Sequence, residues 1–84
     1  MNSVYWRPKA LKQLRKIDRH DNAAIRQAVD RLADMPNCQG VKALVNHPYG
    51  YRLRVGRYRV FFDFDGTVRI VAIQEVKKRD EQTY

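Results

Sequence analysis

Residues 51–76 read YRLRVGRYRVFFDFDGTVRIVAIQEV, and this stretch decides the fold. Alternation over 51–55 predicts a strand, Gly56-Arg57 a turn, and 58–64 a returning strand. Asp65-Gly66 is a strong hairpin signal, and residues 68–76 form the last strand. Together they make a three-stranded antiparallel meander. Successive side chains of a strand alternate between faces, so parity sorts them. Tyr51, Leu53 and Val55 oppose Arg52 and Arg54; Tyr58, Val60, Phe62 and Phe64 oppose Arg57, Arg59, Phe61 and Asp63. Helices need an apolar surface, so they belong on the Leu53/Val60/Phe62 side. Arg52, Arg54 and Arg59 then lie together on the open face. The split is not clean, because parity also puts Phe61, Val71 and Ile73 with the arginines. The expectation is an open face apolar at one end, under a loop, and cationic at the other.

Upstream of the meander, residues 2–6 (NSVYW) read as a short strand that stops before Pro8. Pro8 suits the first turn of a helix, where a missing N–H costs nothing. Ala10, Leu11, Leu14 and Ile17 form one face of a helix over about 8–18. DRHDN at 18–22 breaks it, and Asp21 or Asn22 caps a second helix. Ile25, Ala28, Val29 and Leu32 carry that helix to about Asp34, and Met35-Pro36 ends it. Residues 36–49 read mostly as loop, with Val41, Leu44 and Val45 covering a core edge. The predicted fold is α+β: an N-terminal strand, a helical hairpin, then the meander (β-α-α-β-β-β), with the helices on one face of the sheet.

Eighty-four residues make one domain, 1–84, without repeats or linkers. A chain of this size buries only about 60–65% of its unfolded surface, so its core is thin. No apolar run approaches a membrane span, and the N-terminus lacks a signal-peptide stretch. The single cysteine, Cys38, points to a reducing cytoplasm. Seventeen Lys and Arg stand against nine Asp and Glu, a net charge of +8. That balance favours nucleic acid, an anionic membrane surface or an acidic protein partner.

The chemistry-bearing residues narrow the choice. His20, His47 and Cys38 show no ligand spacing, and serine occurs only at Ser3, so neither a metal site, a cofactor nor a Ser/His triad is expected. Glycines 40, 50, 56 and 66 are isolated turn residues rather than a phosphate-binding loop. What remains is Arg52, Arg54 and Arg59, flanked by Arg57, then Lys77, Lys78 and Arg79, with Tyr84 at the end. Guanidinium forks match phosphate oxygens and stay charged at any working pH. Converging forks can stabilise a pentacovalent phosphorane. Nearby cations make a tyrosine phenolate less unfavourable. Such a set is able to cut RNA by letting a 2′-hydroxyl attack its own phosphate. The bland alternative makes Arg57 and Arg69 solubilising edge residues, Lys77, Lys78 and Arg79 a solvated tail, and Tyr84 an idle terminus.

Residues 51–84 resemble the C-terminal half of RelE-type toxins of the RelE/ParE toxin–antitoxin superfamily. The resemblance rests on Tyr51-Arg52-Leu53-Arg54, Gly56, Tyr58-Arg59-Val60, Asp65-Gly66, Val76, Arg79 and Tyr84. The N-terminal strand and helical hairpin fit more loosely, with Leu11, Leu14, Ile17 and Leu32 in the core. The resemblance implies a small cytoplasmic ribonuclease that cuts mRNA in the ribosomal A site without metal. Its products carry a 2′,3′-cyclic phosphate and a 5′-hydroxyl. Carried onto this chain, Arg54, Arg59, Arg79 and Tyr84 would be catalytic; Arg52, Arg57, Lys77 and Lys78 would bind RNA. Arg59 would stabilise the phosphorane, Arg79 would hold the phosphate or protonate the 5′-oxygen, and Tyr84 would act as base or stacking group. Arginine at 52 and 54, where lysine also occurs in the family, shifts the base role toward Tyr84. The implied partners are the 70S ribosome with its mRNA and an acidic, partly disordered antitoxin, with operator DNA bound only through that antitoxin and no membrane. Two alternatives stay open: a gyrase inhibitor of the ParE branch, and a non-catalytic basic module that binds the antitoxin.

Overall fold

The computed structural model describes residues 1–79. Five strands, two α-helices and one 3-10 turn follow in the order β1 (Ser3–Trp6), α1 (Pro8–Arg15), α2 (Arg19–Asp30), the turn Arg31–Asp34, β2 (Val41–Ala43), β3 (Tyr51–Val55), β4 (Tyr58–Asp65) and β5 (Ile70–Lys78). The sheet order is β1-β5-β4-β3-β2. β1 runs parallel to β5, and the other pairs are antiparallel. The α+β class, the helical hairpin and the meander are as the sequence predicts. The addition is β2, inside the stretch read as loop. Val41, Lys42 and Ala43 pair with Leu53, Arg52 and Tyr51. Three residues are too few to show alternation, so only the open edge of β3 reveals this strand.

Local chemistry sets the helix limits. Pro8 stands in the first turn of α1, and Lys12 and Arg15 sit in its last turn, where cations suit the carbonyl end. The second helix starts earlier than Asp21 or Asn22 would allow. Its cap is Asp18, whose carboxylate accepts the Asp21 amide at 3.0 Å. Asn22 instead donates its side-chain amide to the Leu14 carbonyl at 2.9 Å, beside the Ile17 amide that the same carbonyl accepts at the end of α1. The buried stripe is Ala10 and Leu14 on α1, Ile25 and Val29 on α2, and Leu32 after it. Leu11, expected in the core, is exposed; an eight-residue helix resting on an i, i+4 stripe leaves its neighbour at the margin. Val45 is likewise exposed, whereas Val41 packs on the core.

A β-bulge in β5 resolves the parity conflict. Phe62 pairs with Ile73 and Phe61 pairs with Glu75, so Gln74 is an extra residue. The extra residue resets the alternation. Val71 and Ile73 before it, and Val76 after it, all join Leu53, Val60 and Phe62 in the core. The expectation that Val71 and Ile73 share the arginine face is therefore overturned, while Phe61 does lie on that face. β5 also begins later than predicted. Asp65 accepts the amides of Thr67 (2.9 Å) and Val68 (3.4 Å), and Arg69 at φ 58° closes the turn, so Asp65 meets Ile70. Gly56, at φ 54°, lets Val55 pair with Tyr58 across two residues. Where β1 ends at Trp6, α1 takes over the exposed edge of β5, and the Val76 amide donates to Gln13 Oε1 at 2.6 Å.

Candidate functional site

On the face away from the helices, the register lays the side chains out in two rows across the sheet. One row runs Lys42, Arg52, Phe61, Glu75, and the next runs Arg54, Arg59, Lys77. Directly opposed side chains on neighbouring strands sit about 5 Å apart at Cβ. Three cations thus stand in consecutive strands with a fourth, Arg52, one step along β3. Leu53, Val60 and Val76, buried on the other face, fix the register that aligns them. Among the described residues no group of three His, Cys, Asp or Glu side chains is arranged to hold a metal ion.

The two rows differ in polarity. Arg52 is half-buried, and its Nε is buried with no hydrogen-bond partner among the described residues. A buried guanidinium N–H without an acceptor is costly. Glu75 is the one buried charged side chain among the described residues. Its Oε1 lies 3.3 Å from Lys9 Nζ and 3.7 Å from Lys77 Nζ. One carboxylate therefore tethers a lysine from α1 and a lysine from the cationic row. Asp63 accepts the Gly50 amide through Oδ1 (2.7 Å) and the Gln74 side-chain amide through Oδ2 (3.1 Å), tying the bulge and the loop before β3 to β4.

The remaining predicted residues divide. Arg57 lies in the turn at the same end of the sheet, exposed, and its carbonyl accepts the Arg79 amide at 2.6 Å. That bond carries Arg79 to the end where Arg54 and Arg59 stand. Lys78 pairs with Tyr58, which packs on the core, so parity sets it opposite the arginines. Tyr84 lies outside the described residues.

Residues that sequence reasoning passed over complete the face. His47 stacks on Phe61 with centroids 5.0 Å apart and planes at 16°. Tyr49 lies 6.1 Å from Phe61 and 5.8 Å from His47. The open face is thus aromatic under the β2–β3 loop and cationic at the far end, as parity suggested. Lys42 went unseen because β2 did, and Lys9 because its partner is distant in sequence. Glu75 had a signal, standing two residues before Lys77 in a strand.

The family model described as "ParE toxin of type II toxin-antitoxin system, parDE" matches residues 4–83. No curated protein matches the chain. Among solved structures, the RelBE2 toxin–antitoxin complex of Mycobacterium tuberculosis contains a chain 25% identical, with TM-score 0.81, covering 93% of this chain and 98% of that one. The RelE–RelB complex of Pyrococcus horikoshii OT3 gives 21% identity and TM-score 0.81, covering 95% of this chain and 97% of that one. The isolated E. coli RelE toxin gives 16% identity and TM-score 0.82, covering 99% of this chain and 89% of that one. At 21% and 16% the likeness is one of fold.

Proposed function

The chain belongs to the ParE toxin family of type II toxin–antitoxin systems, within the RelE/ParE superfamily, and from that premise we propose that it is a ribosome-dependent, metal-independent mRNA endonuclease. The observation that carries this reading is the row Arg54, Arg59, Lys77 beside Arg52 on the uncovered face. A phosphodiester lying across that row meets guanidinium forks from two strands. The 2′-hydroxyl of the preceding ribose attacks phosphorus, a 2′-O–P bond forms and the P–O5′ bond breaks. The products are a 2′,3′-cyclic phosphate and a 5′-hydroxyl. Arg59, flanked by Arg54 and Lys77, stabilises the extra charge of the phosphorane. Arg52 and Arg54 hold the RNA backbone. Arg79 binds the phosphate or returns a proton to the 5′-oxygen, and Tyr84 takes the proton from the 2′-hydroxyl. Arg57 lies at the margin of the set and Lys78 on the opposite face, and both add only long-range attraction to RNA.

The partners of this reading are the 70S ribosome with its mRNA and a cognate antitoxin. The M. tuberculosis and P. horikoshii neighbours are toxin–antitoxin complexes. A net charge of +8 suits an acidic segment that folds on this chain and covers the cationic face. Primer-extension mapping of mRNA in a translating extract, with and without ribosomes, tests the reading. Cuts within ribosome-bound codons, reduced by Arg59→Ala, are expected.

A second reading follows from the family match itself, whose description is that of ParE. In that reading the chain poisons DNA gyrase. Double-strand breaks and an SOS response on expression, with mRNA intact, would replace the first reading by this one.

A further inference from the structure

We propose that the His47–Tyr49–Phe61 cluster is a nucleobase-stacking platform for single-stranded RNA, set beside the cations that hold its phosphates, Arg52 in the same row and Arg54 and Arg59 in the next. This inference rests on the RNA-directed reading above and assigns the site where a base is received.

Phe61 is the starting point. It sits on the sheet face away from the core, yet it is only 8% exposed. What covers it is the β2–β3 loop, through His47 stacked parallel on its ring and Tyr49 tilted beside it. The loop is held in place. Leu44 N–H donates to the Gly50 carbonyl at 2.9 Å, and Gly50 N–H donates to Asp63 at 2.7 Å. His47 Nδ1 accepts the Tyr49 amide at 3.1 Å, which fixes the imidazole by a hydrogen bond as well as by stacking. A small hydrophobic patch needing only cover would be served by any apolar residue. Here the cover is an exposed, oriented, planar ring whose inner face rests on Phe61. Its outer face is free to take another ring.

The neighbourhood selects that ring. Phe61 pairs across β3 with Arg52, whose Nε is buried without a partner among the described residues. Arg54 and Arg59 follow two residues along their strands, roughly 7 Å away at the rise of a strand. A stacking ring bordered by cations is the arrangement that binds single strands. Each base stacks on an aromatic face while its phosphate meets a positive groove, and truncating such a ring costs on the order of tenfold or more in affinity. An acidic peptide would use the arginines but not the stacked imidazole.

The test is equilibrium binding of the full chain to a short labelled oligoribonucleotide made uncleavable by 2′-O-methyl sugars at every position, followed by fluorescence anisotropy. A matching set carries an abasic site at each position in turn. His47→Ala is expected to weaken the normal oligonucleotide about tenfold, and His47→Phe to keep its affinity. One abasic oligonucleotide should bind unsubstituted chain and His47→Ala alike, since base and ring are lost together. Ring-proton resonances of His47 should also move upfield when the normal oligonucleotide is added, a readout independent of how any variant folds. Equal binding by His47→Ala, an equal loss on every abasic oligonucleotide, or no binding by the unsubstituted chain overturns the proposal. Because the probe cannot be cut, loss of the nuclease reading in the extract experiment is registered separately from loss of the platform.

Discussion

Arg54 and Arg59 stand directly opposite one another across β3 and β4, two like charges in one register pair on an open sheet face. Such a pair opposes folding, by roughly 0.2–1 kcal/mol relative to a neutral one. The buried neighbours Leu53 and Val60 hold the register against it. An arrangement that costs stability and gains only from an anion between the two forks is what a phosphate site requires. Arg59→Gln, which keeps a polar end on a shorter stem but removes the charge, should therefore raise the melting temperature slightly. The same change should lower mRNA cleavage about 10²–10³-fold. Thermal unfolding and primer extension on one preparation check both. A variant that loses stability and keeps its cleavage contradicts the assignment.

Glu75 is the negative counterweight on this face. It draws Lys9 and Lys77 together, and both lysines are largely exposed, so each bridge contributes at most about 1 kcal/mol. Glu75→Gln should change the urea midpoint little and release two cations toward the RNA. Affinity for a single-stranded oligonucleotide should rise. The slope of log affinity against log salt should steepen by about 0.7 for each lysine that gains a phosphate. An unchanged slope would mean that both lysines stay away from the RNA.

Much of this was legible in the sequence, for local reasons. Alternation in residues 51–64 is strict, so the face shared by Arg52, Arg54 and Arg59 follows from the pleat alone. What was hidden depends on distant partners. The three residues of β2 become a strand only because β3 offers an edge. Asn22, one of the expected caps of α2, is engaged instead with the Leu14 carbonyl, a contact between two elements, and Asp18 takes the cap. The bulge at Gln74 leaves no composition signal, since glutamine is no bulge marker, and it alone explains why Val71 and Ile73 are buried. The aromatic cluster escaped because His47 reads as a loop histidine until Phe61 is seen beneath it.

Acid should loosen the helical hairpin before the sheet. The Asp21 amide donates to the Asp18 carboxylate and holds its pKa below the ordinary 3.8. A group whose folded pKa is depressed stabilises the fold fully above its unfolded value. That contribution is lost as pH falls through the lower, folded value. Helicity by far-UV circular dichroism should then drop as pH falls below the ordinary 3.8. Asp18→Asn, which still accepts the amide but does not titrate there, should flatten this limb. Identical acid limbs for the two proteins would remove the cap from the account.

The sharpest test of the fold lies at Gln74. Neither substitution nor deletion there should turn a core residue outward. Gln74→Ala keeps the residue count, so the register on both sides of the bulge survives. It loses only the hydrogen bond to Asp63, worth about 0.5–1.5 kcal/mol. Deleting Gln74 removes the residue that has no partner. Ile73, Glu75 and Val76 then follow one another opposite Phe62, Phe61 and Val60, so Val71, Ile73 and Val76 stay in the core and Lys77 stays opposite Arg59. The deletion gives up the same hydrogen bond and the local bend of the bulge. Both proteins should therefore unfold in urea as one cooperative transition at a lowered midpoint. A deletion protein without a cooperative transition would show that Gln74 is not the extra residue of β5, and the alignment of Lys77 with Arg59 would lose its physical basis.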